Sequence, residues 1–263
     1  MWQTFTKSVR KAFTDAADQY DILTSLHKEI GRELVKKNIR REANFVLDVG
    51  TGTGYIANKA KFFFPNATIV GLDIAEGMIE KAAQTHEGIK WIQADGESLP
   101  FNDQTFDIIF SNLAYQWIPD LPKAFAQARR VLADGGSFNG TLFGAKTCEE
   151  LFSSLAAVNP SLSIRRLVTV DDVRKTLNAV GFRDVRVDYE LIKVEFKDIW
   201  ELLGWFKSIG ANQLPREEAF IGKDTLSKAG EYYQQHYPYN DGICASFEVI
   251  WFEARNVAKT HTL

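Results

Sequence analysis

The sequence is poor in the residues that build disulfide-bonded, metal-binding or membrane-spanning proteins. Its 263 residues include only two cysteines, Cys148 and Cys244, which form no CxxC or Cys/His cluster. We therefore expect no metal site and no disulfide framework, and a cytoplasmic location fits best. No apolar run approaches the roughly 18 residues that span a membrane, so we expect no contact with a membrane.

An excess of positive charge is also lacking. Lys and Arg number 31 and Asp and Glu number 34, which gives a net charge of −3 at pH 7. Because no general positive field is available to hold a phosphate backbone, nucleic acid is not an expected partner. Apolar residues are plentiful, at 45%. A chain of this length and composition can bury a large core as one enlarged domain.

The apolar pattern predicts two N-terminal helices and then alternating strands and helices. Residues 8 to 38 have helical spacing with a break near Asp21. The later alternation is typical of a mostly parallel sheet with helices on both faces. The strands expected in the first half are Phe45–Val49, Thr68–Leu72, Ile89–Gln93, Phe106–Ser111 and Ser137–Leu142.

The second half is less regular. We expect helices near Cys148–Val158, from Asp171 (the expected N-cap) to Val180, and within residues 197 to 235. Strands are expected at Val185–Phe196 and Ser246–Ala254, the last of which would close the sheet. The prediction is an α/β, Rossmann-like sheet of seven strands.

The most informative segment is a glycine-rich turn, FVLDVGTGTG, at residues 45 to 54. An apolar strand runs into a loop with Gly50, Gly52 and Gly54, and a helix begins near Tyr55. Glycine permits backbone dihedral angles that side chains forbid and lets a ligand approach closely. The helix start offers free N–H groups to an anionic group. By itself, the motif is also compatible with a tight turn that binds nothing.

Two acidic residues beside this turn limit the class of ligand that it can bind. Asp73 ends the next strand, where a carboxylate can accept hydrogen bonds from the ribose of an adenosine, in dinucleotide enzymes and methyltransferases alike. Asp48 can compensate a methionyl amino group or a sulfonium, whereas it would repel a pyrophosphate; its alternative role is to cap the loop. The glycine spacing is GxGxG, whereas a dinucleotide-binding motif has GxGxxG. This spacing and Asp48 together favour a methyltransferase.

A third element, ADGESLPF at residues 94 to 101, follows the third strand, where Asp95 can accept from an adenine amino group. Together with FDIIFSN at 106 to 112 and ARRVLADGG at 128 to 136, it resembles the class I methyltransferase superfamily in order and spacing. The resemblance implies S-adenosylmethionine as cofactor. The contacts that it implies are Asp48, Gly50, Thr51, Gly52, Asp73, Asp95, Gly96 and Ser111, with Met78 beside the adenine ring or simply in the core.

The sequence offers no convincing general base for the transfer. Neither a cysteine nor a histidine is placed as a nucleophile or base, and no histidine lies in a strand-end motif. A carboxylate acceptor needs no deprotonation at neutral pH, whereas an amine or carbon acceptor more often requires a base. The expected reaction is therefore O-methylation of an acid.

Segments along nearly the whole chain carry a closer resemblance. They are VRKAFTDAADQYD at 9 to 21, SNLAYQW at 111 to 117, TCEEL at 147 to 151, RLVTVDD at 166 to 172 and KSIGA at 207 to 211. Together they resemble the malonyl-acyl carrier protein O-methyltransferases of biotin synthesis. The resemblance implies methylation of the free carboxyl of a malonyl thioester, on an acyl carrier protein or coenzyme A, at the start of pimeloyl synthesis.

On this resemblance, four residues are expected to act on the acceptor. Tyr20 is the candidate hydrogen-bond donor to the substrate carboxylate. Asn112 and Gln116, after the fourth strand, would orient the acceptor, and Trp117 would wall the pocket. Tyr20 and Trp117 are about as well explained by ordinary packing.

Two cations on the later segments are the candidates for substrate binding. Arg166 and Lys207 would hold the malonyl carboxylate or a phosphopantetheine phosphate, or serve only as surface charges. Arg165, Lys175 and Arg183 would join Arg166 in a landing area for an acidic carrier protein, although scattered solvated charges explain them better.

The expected organisation is a single domain over residues 1–263. Residues 1–40 form N-terminal helices, 41–143 form the cofactor-binding core, and insertions at about 144–166 and 197–244 form a lid over the strand ends. Two other functions stay open. One is a class I methyltransferase for another small acid such as trans-aconitate, and the other is a non-catalytic protein that binds S-adenosylmethionine.

Overall fold

Strands and helices alternate in the predicted order. The residues that the computed structural model describes are 2–39, 42–162, 167–211 and 221–257. The strands are β1 (Phe45–Val49), β2 (Thr68–Asp73), β3 (Lys90–Gln93), β4 (Phe106–Asn112), β5 (Leu132–Phe143), β6 (Arg183–Phe196), β7 (Pro238–Tyr239) and β8 (Gly242–Arg255). The helices are α1 (Trp2–Leu23), α2 (Ser25–Lys37), α3 (Tyr55–Phe63), α4 (Glu76–Thr85), α5 (Leu121–Val131), α6 (Glu149–Val158), α7 (Val170–Ala179), α8 (Ile199–Ser208) and α9 (Lys223–His236).

These strands form one mixed sheet in the order β3-β2-β1-β4-β5-β8-β6, and the two-residue β7 pairs with β8. The pairs from β3 to β5 are parallel, and β8 runs antiparallel to both of its long neighbours. The predicted Rossmann-like α/β fold is confirmed, with one short strand more than expected. From β1 the chain moves outward to β2 and β3 and then returns to β4. This reversal opens a crevice at the carboxyl ends of β1 and β4, where ligands of such sheets bind.

The last strand, β8, lies inside the sheet, between β5 and β6, and not at its edge. Ten of the 14 residues of β8 are buried, which suits a strand covered on both faces. In contrast, β6 exposes many of its side chains, among them Tyr189 and Leu191, and forms the edge.

Two helix starts differ from the predictions. The first two helices are separated at Thr24, whose hydroxyl donates to Tyr20 O at 2.7 Å, and not near Asp21. Helix α7 is capped by Thr169 and not by Asp171: the Thr169 hydroxyl accepts from Asp172 N, and the Asp172 carboxylate accepts from Thr169 N. This reciprocal pair satisfies two free donors, which a single acidic cap does not.

An aromatic cluster fixes the segment after β4. Tyr115 begins a 3-10 turn, Tyr115–Trp117, and its ring packs with Phe125 and Phe138 at centroid distances of 5.2 and 5.5 Å. Phe252 packs in turn against Phe125 and Phe138, at 5.6 and 4.8 Å. Rings at these distances contribute beyond their buried area. The turn is thereby held against the sheet beside the crevice.

The later helices form a second core. Helices α6, α8 and α9 pack with β8 through buried residues that include Leu151, Leu155, Leu202, Tyr233 and Phe247. These helices belong to the two insertions that we expect to lie over the strand ends. That the insertions form a lid stays a prediction. In the described ranges, no helix is long and apolar enough to cross a membrane.

Candidate functional site

The glycine-rich turn after β1 has the backbone that its sequence requires. Gly50, Gly52 and Gly54 have φ of +72°, +54° and +90°, a region that residues with a side chain rarely adopt. A Cβ atom on Gly50 would lie 2.2 Å from the Ala114 Cβ. The turn is tied to β2, because the N–H groups of residues 50 and 51 both donate to Leu72 O. Its backbone is therefore exposed to a ligand in the crevice.

Asp48 lies beneath this turn. Its Oδ2 accepts from Thr51 Oγ1 at 2.5 Å and from Ala57 N at 3.1 Å. Its buried Oδ1 has no hydrogen-bond partner among the described residues. Burial raises the pKa of Asp48 to about 7, against the lowering effect of the two hydrogen bonds. These are the contacts of a loop-capping carboxylate, and they leave one oxygen for a further partner.

Asp73, at the end of β2, reaches into the crevice. Its two oxygens accept from Gly52 N and from Ala75 N, both at 2.9 Å. Burial raises the pKa of Asp73 and these backbone donors oppose the rise. The carboxylate is thus fixed in position by the turn that it faces.

A cavity of about 100 Å³, here cavity A, occupies the crevice beneath α1. Asp73 lines it together with Met78, Asp95 and Gly96. Asp95 Oδ1 accepts from Glu97 N at 2.9 Å, which orients its carboxylate. Two carboxylates at strand ends beside apolar walls fit a nucleoside, whose hydroxyl and amino groups donate hydrogen bonds.

Two of the cavities that adjoin cavity A share Tyr20 with it. Cavity B, of about 40 Å³, lies over the glycine-rich turn and is lined by Thr51, Thr53 and Lys28, among others. Lys28 Nζ is 2.9 Å from Asp21 Oδ1, so its charge is paired. Cavity C, of about 210 Å³, lies on the far side, among helices α1, α2, α6 and α8.

Cavity C is mostly apolar. Its walls include Leu151, Phe152, Leu203 and Phe206. Among the residues described there, no Lys or Arg contributes to the lining, and the polar residues are Tyr20, His27, Gln116 and Thr147, with Cys148 beside them. Such a cavity excludes water from a group that reaches into it.

Tyr20 borders all three cavities. Its ring lies edge-on to Phe13 and His27, at centroid distances of 6.3 and 6.2 Å. Burial raises the pKa of Tyr20 well above its usual value, and the charges of Asp73 and Asp21 add to the rise. The hydroxyl therefore stays protonated at neutral pH and acts as a hydrogen-bond donor, not as a base.

The expected acceptor residues after β4 lie around the same junction. Asn112 borders cavities A and B, but its amide is occupied: Nδ2 donates to His27 O at 3.0 Å, and Oδ1 accepts from Thr141 at 2.8 Å. Gln116 lines cavity C and accepts from Phe143 N at 3.4 Å. Trp117 separates cavities A and C. Asn112 is therefore placed to position α2.

Four predicted residues are not in the cavity lining that the structure describes, and Asp48, beneath the turn, is one of them. Ser111 is fully buried, and its hydroxyl donates to Val49 O at 2.8 Å, which joins β4 to β1. Lys207 is exposed on α8 and lines none of the three cavities. Arg166 lies outside the described residues, as does Arg165.

One cation of the expected basic landing area, Arg183, lies away from the cavities. Arg183 begins β6, and pairing through Arg255 places it beside Ser137, at the amino end of the parallel strands. The cavities open at the opposite, carboxyl end. Lys175 is exposed on α7. The cause is the direction of β6, which starts on the side of the sheet away from the site.

One residue at this junction was missed by sequence reasoning. His27, on α2, lines cavities B and C, and its Nδ1 is buried without a hydrogen-bond partner in the described part of the chain. Burial lowers the pKa of His27 to about 4. Tyr20 and His27 lie on different helices, α1 and α2, so helical spacing in the sequence does not link them.

A methyltransferase domain family matches residues 47–139 of the chain. A curated malonyl-acyl carrier protein O-methyltransferase from Geobacter sulfurreducens is 34% identical over 260 residues, covering 93% of this chain and 97% of that protein. Further curated relatives that are 27–32% identical have the same name. The similarity therefore extends through the helices that surround cavity C.

Solved structures share the fold at lower identity. The YcgJ protein from Bacillus subtilis is 19% identical, with a TM-score of 0.63 that covers 87% of this chain and 98% of that one. Phosphoethanolamine N-methyltransferase 2 from Haemonchus contortus, solved with S-adenosyl-L-methionine, is also 19% identical, with a TM-score of 0.56 that covers 87% of this chain and 52% of that one.

Proposed function

Because the chain belongs to the family of the malonyl-acyl carrier protein O-methyltransferases, we propose that it transfers a methyl group from S-adenosylmethionine to the free carboxylate of a malonyl thioester and so starts pimeloyl synthesis for biotin. It is an S-adenosylmethionine-dependent methyltransferase. The observation that carries the acceptor assignment is the 34% identity over 93% of the chain, which includes the helices around cavity C.

The crevice has the features that S-adenosylmethionine requires, and the bound cofactor would supply an electrophilic methyl group. Asp73 would accept from the ribose hydroxyls and Asp95 from the adenine amino group, with Met78 against the ring. Gly50 and Gly52 line cavity A, and a Cβ atom on Gly50 would lie 2.2 Å from the Ala114 Cβ. The backbone of the turn would therefore face the methionyl part of the cofactor.

On the acceptor side, the chain needs to orient an anion and exclude water. The carboxylate is already a nucleophile at neutral pH, so no residue has to remove a proton. Tyr20, at the junction of the cavities, would donate a hydrogen bond to it. Trp117 and the apolar walls of cavity C would keep water away. Reacting atoms must be held within about 3–3.5 Å of each other for displacement.

The proposal is tested with purified enzyme and S-adenosylmethionine labelled in its methyl group. We expect a base-labile methyl ester on malonyl-acyl carrier protein, with malonyl-coenzyme A compared in parallel. Trans-aconitate serves as the small-acid alternative. Labelling of trans-aconitate alone, or cofactor binding without any turnover, would contradict the proposal.

Tyr20→Phe is expected to lower kcat by about 10- to 100-fold, because misplacing a reacting group by about 1 Å has an effect of that order. The dissociation constant for S-adenosylmethionine should stay at the wild-type value when measured by calorimetry. Tyr189→Phe, on the exposed edge strand, is the matched control. Equal turnover of the two variants would mean that Tyr20 only packs in the core and has no role in the reaction.

The pKa of Asp48 predicts that cofactor binding depends on pH. The carboxyl keeps its proton below about 7 and is ionised above it, and the ionised form offsets a cationic ligand. The dissociation constant for S-adenosylmethionine should therefore fall as the pH rises through about 7, and Asp48→Asn should remove this change. If the dissociation constants of the wild type and of Asp48→Asn depend on pH in the same way, Asp48 is not the group that causes the pH dependence.

The same pKa predicts how the stability of the ligand-free protein depends on pH. An unfolded Asp ionises near its ordinary value of about 3.9, whereas folded Asp48 keeps its proton up to about 7. The contribution of Asp48 to stability is therefore present below about 3.9 and is lost as the pH rises through about 7. Asp48→Asn should reduce this loss in urea unfolding.

A further inference from the structure

We infer that His27 holds the free carboxylate of the acceptor, and that it thereby selects an anionic acceptor over a neutral one. This inference rests on the proposed function and names a specificity-determining residue for it. It concerns a side chain that lies at the boundary between cavity B and cavity C.

The imidazole of His27 lies between cavity B, over the glycine-rich turn, and the apolar cavity C. Its ring lies edge-on to Tyr20 at 6.2 Å, to Phe143 at 5.7 Å, and close to Trp205 at 6.1 Å. Its Nδ1 is buried and has no hydrogen-bond partner in the described ranges. A buried polar atom without a partner is unfavourable, so a ligand that supplies one is favoured.

The backbone of His27 is fixed from the sheet. Asn112 Nδ2 donates to His27 O at 3.0 Å, and Thr141 Oγ1 donates to Asn112 Oδ1 at 2.8 Å. Through these bonds, α2 is tied to the carboxyl ends of β4 and β5. Trp205 is held in turn, because its Nε1 donates to Leu23 O at 2.9 Å. The imidazole is therefore presented to the cavity on a rigid support.

An anion in cavity C needs partners, since a buried carboxylate without them is strongly unfavourable. No described Lys or Arg lines this cavity. Of its polar residues, Thr147 already exchanges hydrogen bonds with the backbone of Glu248, and Gln116 Oε1 accepts from Phe143 N. The side chains of Tyr20, His27 and Gln116 keep N–H or O–H groups that can donate to a ligand in the cavity. Of these three, His27 is the one with a buried nitrogen that has no partner in the described part of the chain.

A neutral imidazole suits this task. Because burial lowers the pKa of His27 to about 4, the ring is uncharged at neutral pH and carries one N–H that can donate. The negative charge of the carboxylate disappears as the ester forms. A donor that holds this charge without orienting the attacking oxygen therefore stabilises the bound substrate at least as much as the transition state. Its loss raises KM and does not lower kcat, in contrast to the loss of Tyr20, which would orient the attacking oxygen.

His27→Phe is expected to raise KM for malonyl-acyl carrier protein by about 10- to 100-fold, the effect of one hydrogen bond to a charged group, with kcat nearly unchanged. The dissociation constant for S-adenosylmethionine should stay the same. His27→Asn, which keeps an N–H near the position of Nδ1, should recover most of the lost KM. His236→Phe, an exposed histidine on α9, is the control.

The methyl ester product separates carboxylate binding from packing. Malonyl-acyl carrier protein methyl ester should inhibit wild-type enzyme and His27→Phe equally, because the ester has no charge for His27 to hold. The inference is overturned if His27→Phe weakens the binding of substrate and of methyl ester product equally. It is also overturned if the KM of His27→Asn is as high as that of His27→Phe. If wild-type enzyme does not methylate the malonyl thioester, the proposed function fails first; wild-type turnover with an unchanged KM for His27→Phe overturns the role of His27 alone.

Discussion

Replacing Asp73 with alanine is expected to weaken S-adenosylmethionine binding by roughly 1.5–3 kcal/mol, or about 10- to 150-fold in Kd, the usual contribution of hydrogen bonds to a charged group. Asp73 lines cavity A at the end of β2, and it is held by N–H donors of residues 52 and 75. Its removal takes away the ribose acceptor, one bond to the glycine-rich turn and one bond to the start of α4. Titration calorimetry measures the change directly.

The control for this variant is Asp188→Ala, an exposed aspartate in the middle of the edge strand β6. Its Kd should equal that of the wild type. Urea unfolding of both ligand-free variants separates a loss of binding from a loss of fold. An unchanged Kd for Asp73→Ala would remove Asp73 from the cofactor site.

Gly50→Ala is expected to abolish measurable cofactor binding and to lower stability by about 2–5 kcal/mol. The left-handed backbone accounts for about 1–2 kcal/mol, and forcing a methyl group into a packed site for about 1–3 kcal/mol. The new Cβ would lie 2.2 Å from the Ala114 Cβ, so the turn and the segment after β4 must separate. Those two segments form the floor of cavity A.

Gly135→Ala is the matched control for this substitution. Gly135 has φ of +75°, close to the +72° of Gly50, but a Cβ atom there would meet no atom within 4 Å. It should show the loss of about 1–2 kcal/mol from the backbone alone, with normal cofactor binding. Equal stability and equal binding of the two variants would mean that the contact with Ala114 is unimportant.

The sequence predicted the fold well because local signals agreed with each other. Phe45–Val49 is a strand with its predicted ends, and the other long strands differ from prediction mainly in length. The position of the last strand was less accessible. Pairing of β8 between β5 and β6 depends on contacts between residues far apart in sequence, which periodicity does not report.

The site was predictable where a motif lies directly after a strand. The turn at Gly50, the acid Asp73 and the acid Asp95 come from three strand ends, and the parallel sheet brings these together. The family predicted from the sequence is confirmed by the curated relatives. The roles of individual residues stay predictions.

His27 and Lys207 show where such reasoning stops. Both lie on helices, where which side chain meets a cavity depends on how the helices pack. Lys207 lies within a family-like segment but is exposed. His27 lies outside the strand-end motifs, yet its ring reaches the junction of the cavities because Asn112 ties α2 to β4.

The position of Tyr20 on the wall of all three cavities has a thermodynamic consequence. A ligand that binds in one cavity and orders the Tyr20 side chain also changes the surface that Tyr20 presents to a ligand in the neighbouring cavity. Cofactor and acceptor are therefore coupled through one shared residue. By reciprocity, the factor by which bound cofactor changes acceptor affinity equals the factor by which bound acceptor changes cofactor affinity.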